Sequence, residues 1–316
     1  MTNETHVPRV SIGMPVYNAA QYLRPAIDSL LAQTFTDFEL IISDNASTDE
    51  TDAICKQYEA QDSRVKYIKQ AKNKGGLANF NVVLNAAHGD YFMWAAGDDV
   101  WDSRWIERLL SNFTPQTAIS FGATATTDEH LNVLKLHTKY RYMMPRALRL
   151  LAYFLTPERG KGNLIHGLMR RELIQSVGFV LFNGCTAGTG AGEDFHLVFK
   201  LIEYGHVRVD ESVTMYKRTT YERSRRGRLS VYQIPFEALK SLLFSVNKDK
   251  LFYLLTYVWI PTHLVDRILI GLALPFKILT LPFSQLGYMW LHLRGVLRAI
   301  FQNKNRGTPH RGWRFW

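Results

Sequence analysis

A chain of 316 residues, 47% hydrophobic and 21% charged, is long enough for one to three domains with a sizeable core, which excludes disorder as its main state. Its two cysteines, Cys55 and Cys185, exclude a disulfide scaffold and provide no zinc-type ligand pair. The net charge of +10 is uneven: residues 217–316 hold 17 Lys+Arg against 4 Asp+Glu, a balance of +13, whereas residues 1–216 come to −3.

Residues 1–9 are polar and contain no apolar stretch of a secretory leader, so a reducing, cytosolic setting is expected. Residues 9–16 form a β-type run, and 22–33 carry Leu23, Ile27, Leu30 and Leu31 at helical spacing. FELIIS (38–43) reads as a buried strand. Residues 48–61 follow as a helix, with Ser47 or Thr48 expected as its N-cap. A strand over 65–68, a loop at 73–76, a helix over 77–87 and a strand over 91–96 come next. Asp102 or Ser103 is expected to cap a helix running to about 112, ahead of a strand over 118–126. No repeat of 20 to 50 residues is present.

Strand–helix alternation implies a mostly parallel sheet covered on both faces, joined by right-handed crossovers. Ligands of such sheets bind beyond the carboxyl ends of the strands. Polar loops follow each strand there: Pro15-Val16-Tyr17-Asn18, Asp44 to Asp49, Asn73 to Gly76, and Gly97-Asp98-Asp99. Two carboxylates about 4 Å apart repel by roughly 4 kcal/mol at an effective dielectric of 20. A divalent cation removes that cost, and oxygen ligands suit Mg2+ or Mn2+, whose shell substrate phosphates and water complete. The plainer reading of Asp98 and Asp99 is a pair of solvated turn residues.

The run SIGMPVYNAAQYLRPAIDSLLAQTFTDFELIISDNASTDET, then NKGGLANFN and HGDYFMWAAGDDVWD, resembles the opening blocks of the family 2 glycosyltransferases, which have the GT-A fold. The likeness covers about residues 9–130 and continues through 162–179 and 188–205. It implies that Pro15, Tyr17 and Asn18 touch the nucleotide of a nucleoside-diphosphate sugar. It further implies that Asp44 accepts a hydrogen bond from the base, of uridine or thymidine type, and that Asn73 and Gly75 lie close to the nucleoside. Asp98 and Asp99 would hold the metal and approach the ribose, and Asp194 would be the catalytic base. The chain departs from the family at Ala96, where an acidic residue is common, at Phe80, where arginine is common, and at Ala46, where glycine is common.

These positions imply a single in-line displacement that inverts the anomeric carbon, with a cation neutralising the leaving group and a general base taking the acceptor's proton. The other reading of Glu193 and Asp194 is a helix-terminal acidic pair. The glycines at 188, 190 and 192 lack the third position and preceding strand of a dinucleotide site. His166 reads as structural or as an acceptor contact, and Arg170 and Arg171 as phosphate contacts or a solvated helix start. Trp94, Trp101 and Trp105 read as core or as sugar platforms. Arg223, Arg225, Arg226 and Arg228 read as a site for a headgroup or a diphosphate, or as a basic cluster that binds nothing.

The basic tail is rich in Leu, Phe, Tyr and Trp, which points to a membrane surface rather than nucleic acid. Its uncharged runs, 251–265 and 278–293, are 15 and 16 residues, short of the roughly 18 to 20 that span a bilayer. Pro261, Pro275 and Pro282 interrupt them. The expected organisation is a GT-A domain over 1–225, with a nucleotide half at 9–125 and an acceptor half at 126–225. A basic helical tail over 226–316 would lie in the membrane interface, with Trp290, Trp313, Phe315 and Trp316 at headgroup level. The whole reads as an inverting glycosyltransferase at the cytoplasmic face of the cell membrane, acting on a glycan or lipid-linked acceptor in surface-polysaccharide synthesis. A nucleotide-sugar-binding protein without transfer activity and a nucleotidyltransferase are the alternatives.

Overall fold

The computed structural model describes residues 6–137, 140, 142–156, 161–178, 193–219, 257–259 and 261–277. The first half builds as the sequence pattern dictates. β1 (Val10–Val16), β2 (Phe38–Asp44), β3 (Val65–Lys69) and β4 (Tyr91–Trp94) pair in parallel in the order β3-β2-β1-β4. Every residue of β2 is buried, as expected for a continuous apolar run in a parallel sheet. The crossovers are α1 (Ala20–Leu31), α2 (Thr51–Gln61) and α3 (Gly76–Asn85). Tyr58 of α2 donates its hydroxyl to Asp28 of α1 at 2.6 Å, locking the two helices together.

Beyond β4 the sheet departs from the expected parallel pattern. β5 (Val100–Trp101) and α4 (Trp105–Ser111) are followed by β6 (Thr117–Thr127), β7 (Val133–His137) and α5 (Arg146–Leu155). A 3-10 turn (Lys161–His166), β8 (Leu168–Arg170), α6 (Arg171–Val177), α7 (Glu193–Tyr204) and β9 (His206–Arg218) complete the order. The sheet continues β4-β8-β6-β9-β5, with β7 on the side of β6. Only β6–β9 is parallel in this half; β4–β8, β6–β8, β6–β7 and β5–β9 are antiparallel. The sheet is therefore mixed, and one surface runs through both expected halves. β8 is three residues long and β5 two, too short for any periodic signal in the sequence.

Three helix starts differ from expectation, two of them, α1 and α4, because side chains from elsewhere in the chain take their first N–H groups. At α1, Thr51 Oγ1 accepts the Ala19 N–H at 2.9 Å and Asp49 Oδ2 accepts the Ala20 N–H at 3.1 Å. At α4, buried Gln33 accepts the Ile106 N–H at 3.0 Å. At α2 the N-cap is Glu50, without a side-chain cap, because Ser47 and Thr48 are engaged in the loop described below. Trp94, Trp101 and Trp105 are all buried in the core, so none is a sugar platform. Arg170 donates to the carbonyls of Thr117 and Thr114 at 2.7 and 2.8 Å, and Arg171 to Gly89 O at 2.6 Å. Both arginines bind backbone rather than phosphate.

Residues 264–277 form a helix with inverted polarity. Asp266 is 1% exposed and pairs with Arg146 of α5 at 2.8 Å. Lys277, also buried, donates to Thr156 O at 3.0 Å. The residues it presents outward are Leu264, Ile268, Leu272 and Phe276, each more than half exposed. Among the described residues no helix is long and apolar enough to cross a membrane. The arginine cluster 223–228, the glycine loop 188–192, Cys185 and most of the tail 226–316 lie outside the described residues.

Candidate active site

The carboxyl ends of β1 and β4 open onto a cavity of about 380 Å3, lined among others by Pro15, Tyr17, Asn18, Phe80, Ala96 and Asp98. Four of the residues expected to meet a donor are thus brought together. Tyr17 is half exposed, which leaves a ring face at the mouth for a base or sugar. Phe80 presents a ring where a family arginine would present charge; its carbonyl accepts the Trp94 Nε1–H at 3.2 Å.

Asp44 is fully buried and is not among the residues lining this cavity. Its Oδ1 accepts both the N–H and the hydroxyl of Ser47, and Oδ2 accepts the Tyr67 hydroxyl at 3.1 Å. The Ser47 hydroxyl oxygen in turn accepts the Asn18 N–H at 2.8 Å, while Asn18 Oδ1 accepts the Thr48 N–H at 2.9 Å. A buried carboxylate thereby fixes Asn18 at the cavity, in the left-handed conformation with φ 48°. Tyr67 also donates to Asp52 at 2.7 Å. Burial first, and the two carboxylates second, push its hydroxyl far above the ordinary tyrosine range.

Ala46, in the same loop, has φ 61°, a region that costs a side-chain-bearing residue about 1–2 kcal/mol. This accounts physically for the glycine common in the family at this position. Ala46→Gly is expected to raise stability by up to about 1 kcal/mol, after the added freedom of the unfolded chain offsets part of the relief. The midpoint of urea unfolding checks it.

Asn73 and Gly75 are held by a residue that motif reading missed. Asn45, 2% exposed, donates to Asn73 Oδ1 at 2.9 Å and Gly75 O at 3.2 Å, and accepts the Lys74 N–H at 2.9 Å. Asn79 was missed as well. It is buried, donates to Val16 O and Ser43 O at 3.2 and 2.9 Å, and so clamps the ends of β1 and β2. The available signal for both was an amide in an otherwise apolar or turn-like segment, since a buried amide must find partners.

Asp98 and Asp99 part company. Asp98 is half buried and lines the cavity. Asp99 is 1% exposed, and its Oδ1 accepts the backbone N–H of Arg218 at 3.0 Å. Among the described residues no three or more His, Cys, Asp or Glu side chains gather as a metal cage. One hard carboxylate at the cavity still fits Mg2+ or Mn2+, which take one or two protein carboxylates and complete their shell with phosphates and water.

Asp194 sits in the first turn of α7, where Oδ1 accepts the Phe195 N–H at 3.0 Å. The 3-10 turn braces it: a β-carbon at Gly162 would overlap Asp194 Oδ2. From the same turn, Asn163 Oδ1 accepts from Lys217 Nζ at 2.8 Å, and His166 Nδ1 lies 2.9 Å from Trp94 O at the end of β4. His166 is buried. Burial, with Lys217 nearby, lowers its pKa to about 3, so the ring is neutral at physiological pH and Nδ1 carries the proton donated to Trp94 O. This six-residue turn therefore ties α7, β9 and the β4 rim together.

The chain is similar to several known proteins. An uncharacterized glycosyltransferase of Rickettsia felis is 30% identical over 226 residues, 67% of this chain and 34% of that protein. The putative glycosyltransferase EpsE of Bacillus subtilis is 42% identical over 105 residues, 33% of this chain and 38% of EpsE. The chain thus spans about a third of the length of these relatives. Among solved structures, S. aureus TarS 1–349 in complex with UDP aligns with a TM-score of 0.54 at 18% identity, covering 80% of this chain and 70% of that one. The mannosyltransferase PcManGT of Pyrobaculum calidifontis, in complex with GDP-Man and Mn2+, aligns with a TM-score of 0.50 at 15% identity, covering 92% and 81%. At such identities the likeness is one of fold, in line with the GT-A architecture expected from the sequence. The description of glycosyl transferase family 2 matches residues 11–176, over half of the sequence, and the chain belongs to that family.

Proposed function

We propose that the chain transfers a sugar, with inversion, from a nucleoside-diphosphate sugar of uridine or thymidine type to a hydroxyl of a glycan or lipid-linked acceptor in surface-polysaccharide synthesis. The observation that carries this is the cavity at the β1 and β4 ends, with Tyr17, Asn18 and Asp98 in its wall. TarS, of the same fold, holds UDP and, in another structure, UDP-GlcNAc. Tyr17 offers the base or ribose a flat surface, and Asn18 is pre-set by Asp44 through Ser47. A bound Mg2+ or Mn2+ would supply Lewis-acid neutralisation of the donor diphosphate; Asp98 would hold it and Asp99 would stand behind. Asp194 takes the proton of the acceptor hydroxyl as its oxygen bonds to the anomeric carbon. The bond from that carbon to the diphosphate oxygen breaks with its electron pair, on the opposite face. Calorimetry with UDP-sugars and TDP-sugars, with and without Mn2+, tests the reading. Binding strengthened by Mn2+ supports it, and a chain that binds none of these donors overturns it.

The site of action we propose is the cytoplasmic membrane face, with the domain over 1–225 docked by the tail 226–316. Its support is the helix over 264–277, which buries Asp266 and Lys277 and exposes Leu264, Ile268, Leu272 and Phe276, within a segment, 217–316, whose balance is +13. An apolar stripe flanked by basic residues suits the interface of an anionic bilayer. In flotation assays the full chain is expected to bind vesicles containing phosphatidylglycerol better than vesicles of phosphatidylcholine alone. The double variant Leu272→Asp, Phe276→Asp should lower bound protein about tenfold or more. Unchanged flotation of the variant removes this helix from the account.

A further inference from the structure

Three aromatic rings meet at the candidate cavity, those of Tyr17, Tyr22 and Phe80. Among the described residues that line it, Asp98 is the only acid and none is lysine, arginine or histidine. Two of its polar side chains already have protein partners. Asn18 Oδ1 accepts the Thr48 N–H at 2.9 Å, and Gln21 Nε2 donates to the Tyr22 hydroxyl at 2.8 Å. A hexose carries a hydroxyl on most of its carbons, and each one withdrawn from water without a partner is costly. A pyrimidine is flat, and its faces stack on aromatic rings without any demand for hydrogen bonds. The base is therefore the part of a donor that this wall suits, with Asp98 left for the metal.

Phe80 is the fixed member of the three. It follows Asn79 on α3, whose amide clamps the ends of β1 and β2. Its carbonyl accepts the Trp94 indole N–H, and its ring lies 6.1 Å from that of Trp94, tilted by 31°. Trp94 is fully buried. Backbone and ring are thus both anchored on the core, and the half-buried ring keeps apolar atoms at the cavity. Tyr22 is pinned in turn by Arg218, which is 4% exposed and stands 4.4 Å from the ring centroid.

We propose that the base of the donor is thymine and that Phe80 recognises its 5-methyl group. The inference rests on the donor reading above and narrows it to one nucleotide class. Thymine differs from uracil by a single methyl, on a ring edge that carries no hydrogen-bonding group. Phenylalanine is one of the side chains that make apolar contact with that methyl. Withdrawing one methyl from water against such a wall strengthens binding about four- to tenfold. An apolar wall gives uracil no matching gain.

The test is calorimetry of the full chain in Mn2+ with thymidine diphosphate (TDP), deoxyuridine diphosphate and UDP. The first pair differs only in the methyl and the second only in the 2′-hydroxyl. The wild type is expected to bind TDP about fourfold or more tightly than deoxyuridine diphosphate, and more tightly than UDP. Phe80→Gln and Phe80→Arg, whose methylene stems can still cover Trp94, should each bring TDP and deoxyuridine diphosphate to equal affinity. Phe80→Leu, which stays apolar, should keep most of the preference. Equal affinities in the wild type, a tighter UDP, or a methyl preference that survives Phe80→Gln and Phe80→Arg each overturn the inference while the donor reading stands. If the wild type binds none of the three diphosphates, the donor reading itself is overturned, and the inference with it.

Discussion

Asp194→Asn is expected to lower turnover about 10^2- to 10^4-fold, the range of a lost general base, while UDP-sugar affinity stays within about twofold of wild type. Asp194 lies in the first turn of α7, with one oxygen on the Phe195 N–H and the other against the bare α-carbon of Gly162. The carboxylate is therefore aimed by its surroundings rather than left to rotate. Gly162→Ala provides the companion measurement, because its methyl group would displace Asp194 Oδ2 without removing the acid. A drop in kcat with an unchanged donor affinity is expected there as well. An Asp194→Asn enzyme that turns over at the wild-type rate would remove Asp194 from the chemistry and return it to the role of a helix-terminal acid.

The second large effect is expected at Asp98. Asp98→Asn should cut turnover about 10^2- to 10^3-fold, because an electrostatic stabiliser of the leaving group is lost. It should also abolish the gain in UDP affinity produced by Mn2+. Asp99 provides the contrast. It is buried and accepts the Arg218 N–H, so Asp99→Ala leaves a buried donor unpaired and should cost about 1–3 kcal/mol of stability. Titration of UDP with and without Mn2+, alongside thermal melting, separates the two. Should Asp98→Asn retain the Mn2+ response, the metal is held elsewhere and the cavity reading must change.

The resemblance sets Asp44 near the base, and the structure adds the side chains that hold it. Its oxygens are taken by Ser47 and Tyr67, and through Ser47 it governs Asn18. The same holds for His166, Arg170 and Arg171, whose sequence contexts were open to either reading. Each resolves into a bond to a backbone carbonyl, of Trp94, Thr117 and Gly89 respectively. A one-dimensional pattern shows which residue types stand near a loop. It does not show which polar atom nearby is already satisfied.

By itself the sequence determined the parallel half of the sheet, its three crossover helices and the rim on which Pro15, Tyr17, Asn18 and Asp98 meet. Those elements follow from apolar periodicity and from loops next in sequence to their strands, and both signals are local. Tertiary structure alone decided the antiparallel strands from β8 to β5, the helix caps lent by Thr51, Asp49 and Gln33, and the amide clamps Asn45 and Asn79. It alone set the Arg218 N–H against the carboxylate of Asp99, 119 residues earlier in the chain. The reason is physical: a two- or three-residue strand, a borrowed cap and a cross-strand neighbour are fixed by partners far along the chain, and distance in sequence carries no trace of nearness in space.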